Sequence, residues 1–492
     1  MLKKIFESTL IMGASSVVVL LVDIVRSKVL AVFLGPTGMG SLSVLNQFHT
    51  LAVSLIGLGL SAGLVKYVAV YNSEGNIQSV RSMLVTSFRT ILGCAFVVCA
   101  LTLILRVPMA KWLLDDPGQA SFLAVYAVAL PLAAYPLVAG SLLQGLQRIT
   151  TLARISVGRS LLSLALIVPL VLAYRLEGAV YGVLVTTGVH LLLCYRVLRR
   201  EAESYRVFQP QGGDRGVVKT LLPYGATSLT IGAIYCVSLL LIKVIIVQRL
   251  GLEMNGIFQP VFALTMAYPT LVLSAMSTYA YPRLCELSGA DRITAELNGN
   301  LRVVLLLIVP IMFVMLLARE PIVVFLYSAR FREAADYLPV QIISDFFKTL
   351  NWVFGLFLLP TGRLRAFLWL NATIDILVVL LSLIWIDRFG LHAVTASFAA
   401  SYALAFVANY FYARRQIAFR LWKDNVRLVA VSFLSLAGVA GMTVFYPTGS
   451  MLAASTLLVA GWSVICIKRS ELAQLKAYLI QKLGRQPSAY TR

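Results

Sequence analysis

Apolar runs of about twenty residues follow one another along nearly the whole chain, separated only by short polar breaks. Wound as a helix, a run of that length spans the roughly 30 Å hydrocarbon core of a bilayer. Lipid offers no hydrogen bonds, so each run must satisfy its own backbone N–H and C=O groups, which a helix does. At 59% hydrophobic and 13% charged, the 492 residues include about 290 apolar ones, far beyond the 45–50% usual in soluble domains. Fourteen helical spans absorb about 280 of them. The expectation is an all-α polytopic membrane protein of about 14 transmembrane helices. A nucleic-acid-binding domain, a secreted disulfide scaffold and a large extramembrane catalytic domain are excluded, although the net charge of +21 would suggest nucleic acid in a soluble chain.

The runs place spans near 9–34, 42–70, 82–105, 121–145, 155–174, 179–198, 220–248, 254–281, 300–318, 338–360, 367–386, 393–413, 428–447 and 450–467. The positive-inside rule tests this count, because an error of one span would scramble the alternation of Lys and Arg between loops. With the N-terminus in the cytoplasm, 27 of the 42 Lys and Arg fall on the cytoplasmic side, 8 fall on the opposite side, and 7 lie within spans. Both termini are therefore expected in the cytoplasm. Lys3 and Lys4 precede the first run as in a signal peptide, but the run continues through Asp23, Arg26 and Lys28 to Leu34, as a retained first span does. The six cysteines lie in or beside apolar stretches without CxxC or His-paired spacing, and read as packing residues.

An internal repeat appears at an offset near 215 residues, a common construction of transporters. Lys28-Val-Leu-Ala-Val-Phe-Leu-Gly35 returns loosely as Lys243-Val-Ile-Ile-Val-Gln-Arg-Leu-Gly251, and a glycine, Gly40 or Gly256, opens the following span. Arg106-Val-Pro108 and Arg319-Glu-Pro321 begin equivalent outer loops. The implied organisation is two six-helix bundles related by a pseudo-two-fold repeat, at 1–210 and 211–413, with two appended helices and a tail at 414–492.

No phosphate-binding GxxxxGK[ST] loop, HExxH or GxSxG motif is present. His49, His190 and His392 sit singly on separate spans and read as packed residues rather than ligands. Gly35-Pro-Thr-Gly-Met-Gly40 follows no strand and reads as a tight turn between spans 1 and 2.

The intramembrane charges are more informative, because each costs roughly 3 kcal/mol unless it faces a wet cavity or a partner. Seven cations (Arg26, Lys28, Lys66, Arg89, Arg159, Lys243 and Lys348) meet three acids, Asp23, Asp345 and Asp375. Asp23 with Arg26, and Asp345 with Lys348, have the i,i+3 spacing of a local ion pair. Lys66 and Arg159 lie close enough to a span end to snorkel. Lys28, Arg89 and Lys243 have no such outlet, and Lys28 and Lys243 occupy equivalent places in the two repeats. They point to a cationic cavity suited to an anion such as a phosphate or pyrophosphate. Asp375 has no cation near it in sequence, as befits a carboxylate that binds a proton or sodium ion, or one paired with another helix.

The segments Lys28 to Gly40, Gly63-Leu-Val-Lys-Tyr-Val-Ala69 and Ser344-Asp-Phe-Phe-Lys-Thr-Leu-Asn-Trp-Val-Phe-Gly355 resemble the Wzx-type O-antigen and enterobacterial common antigen flippases. These belong to the multidrug/oligosaccharidyl-lipid/polysaccharide exporter (MOP) superfamily, and the likeness runs through roughly residues 1 to 413. It implies two bundles rocking between inward- and outward-open states. It also implies an undecaprenyl-pyrophosphate-linked oligosaccharide carried from the cytoplasmic to the periplasmic leaflet of the bacterial inner membrane. By motif it assigns Lys28, Lys66 and Lys348, with Asp345 beside the last, to the cationic lumen; Arg26, Arg89 and Lys243 rest on the cavity argument. Asp23, Asp345 and Asp375 are the candidates for a coupling proton or sodium ion, and no other cofactor is implied. A monomer is expected, with a polysaccharide polymerase and a chain-length regulator as partners. The rival readings are a membrane glycosyltransferase, polymerase or ligase, which needs a larger outer loop, and a drug exporter of the same superfamily, which favours an acidic cavity for cationic drugs.

Overall fold

A computed structural model describes residues 2–201, 215–287, 289–445 and 448–467. Among them the chain is helical almost throughout and has no strand. The helices are α1 (Leu2–Ile56), α2 (Leu60–Ser73), α3 (Ile77–Ile104), α4 (Arg106–Leu114), α5 (Ala120–Gly145), α6 (Ile149–Glu201) and α7 (Arg215–Glu286). There follow α8 (Ala290–Leu317), α9 (Arg319–Leu326), α10 (Ala334–Gly355), α11 (Leu364–Phe389), α12 (Leu391–Ile417), α13 (Lys423–Phe445) and α14 (Thr448–Cys466).

Three of these are too long for one crossing, and each breaks where the sequence places a turn between spans. The breaks in α1 and α7 fall at Gly35 (φ 65°, ψ −174°) and Gly251 (φ 90°, ψ 169°), backbone conformations that only glycine adopts freely. The corresponding break in α6 falls on Arg175 (φ 48°, ψ −120°). Pro36 assists the first break, since it cannot donate to the preceding turn. Divided at these points, α1, α6 and α7 each supply two spans. The second span of α1 is continued by α2 after a further break at Leu58 and Gly59, both at positive φ. Among the described residues fourteen membrane spans result, and eight helical stretches are long and apolar enough to cross a bilayer on their own. Their outer surfaces suit lipid: Ile104, Leu457 and Val464 are 76%, 74% and 82% exposed, which in water would form costly apolar patches. The molecule is a multi-pass membrane protein.

The chain forms two compact units. The first comprises Met1–Pro260, Val323–Ala334 and Asn371–Ser397; the second comprises Val261–Ile322, Ala335–Leu370 and Phe398–Arg492. In the first unit, one core cluster joins α1, α2, α3, α5 and α6 through Ile56, Leu60, Leu84, Leu130, Leu142 and Cys194. Another joins α1 to α4, α5, α6 and α7 through Leu45, Leu113, Tyr126, Val171 and Val247. The repeat is visible in the backbone, because Gly40 and Gly256 cross at contact distance. A methyl added to Gly40 would meet the Leu252 carbonyl oxygen at 1.9 Å, and one added to Gly256 would meet that of Pro36 at 1.8 Å. Buried Asn255 secures the crossing by donating from Nδ2 to the Gly40 carbonyl at 2.8 Å.

In the second unit, α13 and α14 pack on α8. Arg302 of α8 and Arg319, which opens α9, hold the pair. Arg319 donates to the Thr443 carbonyl near the end of α13 at 2.8 Å, and Arg302 donates to that of Cys466 at the end of α14 at 3.0 Å. Each cation caps orphan carbonyls at the negative end of a helix dipole. Trp462 packs edge-on against Phe313 and donates to Ser432 Oγ at 2.8 Å. The C-terminal pair is thus an integral part of its unit. Arg302→Ala and Arg319→Ala are each expected to cost about 1.5–3 kcal/mol, the range for losing a hydrogen bond to a charged group, read as a lower thermal-unfolding midpoint in detergent. A midpoint unchanged in both variants would show that the pair is held by apolar packing alone.

Candidate functional site

The first unit contains a cavity of about 660 Å³ among its membrane spans. Its polar wall comes from four spans that the breaks fold back on themselves. The first span of α1 supplies Arg26; the second supplies Ser43, Asn46, His49 and Thr50. The two spans of α6 supply Arg159, and Thr186, Thr187 and His190. Gln259 of α7 and an apolar strip from α5 complete the lining. The α6 hairpin explains one pairing: Arg159 and His190 are almost equidistant in sequence from the break at Arg175, each roughly 23 Å along its helix at 1.5 Å per residue. They therefore lie at one depth, within electrostatic range of each other.

Polar side chains behind the lining hold it in place. Lys243, only 5% exposed, donates from Nζ to Ser43 Oγ at 2.6 Å and to Gln259 Oε1 at 3.1 Å. Tyr126 donates its hydroxyl to Asn46 Oδ1 at 2.8 Å and stands edge-on to the His49 ring. His49 Nε2 is buried and has no hydrogen-bond partner. Among the described residues, no Asp or Glu lines the cavity. Asp23 pairs with Arg26 at 3.0 Å on the same helix, and among the described residues Arg159 has no carboxylate within ion-pair distance. The walls can receive an anionic group of phosphate or pyrophosphate size through two guanidinium groups and several neutral donors.

The other cations singled out in the sequence are dispersed. Lys28 donates to the Val324 carbonyl at 2.9 Å, also within the first unit. Lys66 is exposed on α2, with Nζ 5.4 Å from the Tyr67 ring centroid. Arg89 is exposed on α3 and lines a separate, almost wholly apolar groove of about 420 Å³ with Leu55, Leu58 and Val97. Asp375 lies near Tyr235 and Cys236 of α7. Lys348 and Asp345 belong to the second unit. There the fully buried Asp345 accepts from Tyr268 at 2.7 Å and from Thr265 at 3.0 Å. Lys348 Nζ contacts Met266 Sδ at 3.9 Å and makes no ion pair with Asp345. Of the two i,i+3 pairs, only Asp23–Arg26 forms. Reading residues one span at a time missed Arg159, His49 and His190 as cavity residues. Their common depth, counted from the turns on either side, was the available signal.

Residues 5–288 match the model of a family described as polysaccharide biosynthesis protein. The chain is 23% identical over 404 residues to the lipid III flippase of Escherichia coli (strain K12), covering 81% of this chain and 96% of that protein. It is also 26% identical over 201 residues to stage V sporulation protein B of Bacillus subtilis (strain 168), covering 39% of each. Among solved structures, an inward-facing multidrug resistance MATE transporter of the MOP superfamily superposes with a TM-score of 0.71 at 14% identity, covering 81% of this chain and 94% of that one. The lipid II flippase MurJ in an inward closed conformation superposes with a TM-score of 0.65 at 12% identity, covering 98% and 100%. A family match over more than half the chain, on the all-helical fold of MOP transporters, places this protein in the polysaccharide biosynthesis protein family.

Proposed function

We propose that the protein is a flippase for an undecaprenyl-pyrophosphate-linked oligosaccharide, moving the repeat unit of a surface polysaccharide from the cytoplasmic to the periplasmic leaflet of the bacterial inner membrane. The observation that carries this reading is the cavity of the first unit, where two arginines and, among the described residues, no carboxylate face a space of about 660 Å³. Cationic groups facing a cavity among membrane spans favour an anion. A pyrophosphate provides one, while the polyprenyl chain stays in lipid. The likeness to a lipid III flippase over 81% of the chain supports the same class of cargo, and the cation excess disfavours a drug exporter for cations. The partition at 1–210, 211–413 and 414–492, both termini in the cytoplasm, and a polymerase and chain-length regulator as partners belong to the same proposal.

Transport by alternating access requires no covalent step and no ATP site. Net movement draws on the membrane potential, an ion gradient or consumption of cargo on the far side. Asp23, Asp345 and Asp375 remain candidates for ion coupling, a role removed if their Asn variants keep the ion dependence of the wild type. The test of the function is flipping of a fluorescent undecaprenyl-pyrophosphate oligosaccharide in proteoliposomes, followed by quenching of the outer leaflet. Wild-type protein is expected to expose the inner-leaflet label within minutes, and Arg26→Ala and Lys243→Ala are expected to slow this markedly at equal reconstitution. Quenching by wild-type vesicles no faster than by protein-free vesicles would refute the flippase reading.

A further inference from the structure

The transport reading leaves Arg89 unused, although an arginine within a membrane span is costly unless a partner meets it. Among the described residues Arg89 makes no hydrogen bond or ion pair. Its span begins near residue 82, about 10 Å before Arg89 at 1.5 Å per residue. Side chains on a helix lean toward its N-terminus, so the long guanidinium arm reaches back toward the headgroups of the leaflet in which α3 begins. Gly93 and Cys94, then Val97 and Val98, follow on the same face of α3, one and two turns deeper into the bilayer. Leu55 and Leu58 stand across from them and complete the groove of about 420 Å³. The slot is open at Gly93, where an added methyl would meet nothing within 4 Å, and Val97 is 59% exposed. Thr90, the other polar side chain that can donate here apart from the Cys94 thiol, already gives its hydroxyl proton to the Thr86 carbonyl at 2.9 Å. The groove therefore presents one free cation toward the membrane surface and an apolar slot of about 13 Å running toward the bilayer centre.

We propose that this groove binds an anionic glycerophospholipid, its phosphate on Arg89 and one acyl chain along Gly93, Cys94, Val97 and Val98. That order, charge toward the surface and chain toward the centre, is the order of a lipid in the leaflet where α3 begins, which is the cytoplasmic one in the topology proposed above. The chemistry selects this occupant. Free phosphate has no use for apolar walls, and a zwitterionic lipid brings its own ammonium and leaves the arginine's charge uncompensated. The cargo's pyrophosphate is served by the two arginines of the cavity, whereas a single guanidinium matches a single phosphate through two parallel hydrogen bonds. Bound in this way, the lipid offsets the cost of a cation placed in the span. The site is separate from the cavity and stands whether or not the chain moves a lipid-linked oligosaccharide.

The test is native mass spectrometry of the full chain in detergent, titrated with phosphatidylglycerol or with phosphatidylethanolamine of the same acyl chains, reading the dissociation constant of the first lipid bound. Wild-type protein is expected to hold phosphatidylglycerol about tenfold more tightly, the factor for one hydrogen bond to a charged group. Arg89→Gln should bring the two lipids within about twofold of each other, and Arg89→Lys should keep a preference for the anionic one, since the charge remains. Gly93→Leu keeps the cation but fills the slot, and should remove the tight site as well; it carries the test if Arg89→Gln misfolds. Arg154→Gln takes the same charge from an exposed position on α6 and should leave the phosphatidylglycerol constant unchanged. No preference in the wild type, an unchanged preference in Arg89→Gln, or equal losses in Arg89→Gln and Arg154→Gln would overturn the site. One-for-one displacement of phosphatidylglycerol by undecaprenyl-pyrophosphoryl-N-acetylglucosamine would also overturn it, assigning the groove to the cargo instead.

Discussion

Gly40→Ala and Gly256→Ala are each expected to reduce cargo flipping at least tenfold, the largest effect foreseen for any change that leaves every charge in place. The added methyl would sit 1.9 Å from the Leu252 carbonyl oxygen in one case and 1.8 Å from that of Pro36 in the other. Ordinary contact needs about 3.5 Å, so the two backbones must part by an ångström or more. Both obstacles are backbone atoms, which cannot rotate aside as a side-chain tip can. Parting the helices also stretches the bond from Asn255 to the Gly40 carbonyl and disturbs the Ser43 hydroxyl to which Lys243 donates. Overpacking of this kind costs about 1–3 kcal/mol or more, and here the cost falls on the element that sets the spacing of α1 and α7 beside the cavity. Gly140→Ala is the matched control, because a methyl there meets nothing within 4 Å. It should be neutral or slightly stabilising, as glycine is a poor residue for a helix interior. Flipping by Gly40→Ala at the wild-type rate, with normal insertion, would show that the close crossing is not required during the transport cycle.

The crossing also shows how far the sequence could be read. Apolar run lengths were enough to place the spans, because lipid leaves a helix no alternative. The turns at Gly35 and Gly251 were legible for a similar reason, since few other residues accept their φ. The break at Arg175 was legible only from the ends of the apolar runs on either side, because an arginine at positive φ carries no compositional mark of its own. The repeat correctly paired Gly40 with Gly256 as equivalent residues, but their contact with each other is a property of the folded unit. The same division separates the charged residues. The Asp23–Arg26 pair follows from i,i+3 spacing alone. Asp345 has the same spacing to Lys348, yet Tyr268 and Thr265 of another helix take its carboxylate. Local spacing creates the opportunity for a pair; packing decides whether it is used. Arg89 illustrates the reverse case, an intramembrane cation whose cost pointed to the cavity and which lies in an apolar groove elsewhere.

That dispersal makes the second large prediction a comparison. Arg159→Gln is expected to lower the flipping rate by about 10- to 100-fold, because a hydrogen bond to a charged group is worth about 1.5–3 kcal/mol and each 1.4 kcal/mol is a factor of ten. Arg159→Lys should recover part of the loss, since the ammonium keeps the charge but gives up the guanidinium's two-pronged geometry. Arg159→Glu should abolish transport, placing a carboxylate where the walls otherwise present none. Arg89→Gln should behave differently: flipping within about twofold of wild type, and insertion at least as efficient, because it removes a charge whose exposure to lipid costs roughly 3 kcal/mol. The two variants remove the same charge from spans of the same unit, so net charge and general basicity cannot account for a difference between them. Only the position of each arginine, one on the cavity wall and one in the apolar groove, separates them. Equal losses in Arg159→Gln and Arg89→Gln would mean that the anion's path includes the α3 groove, and the cavity bounded by α1, α5 and α6 would then be no more than one station along it.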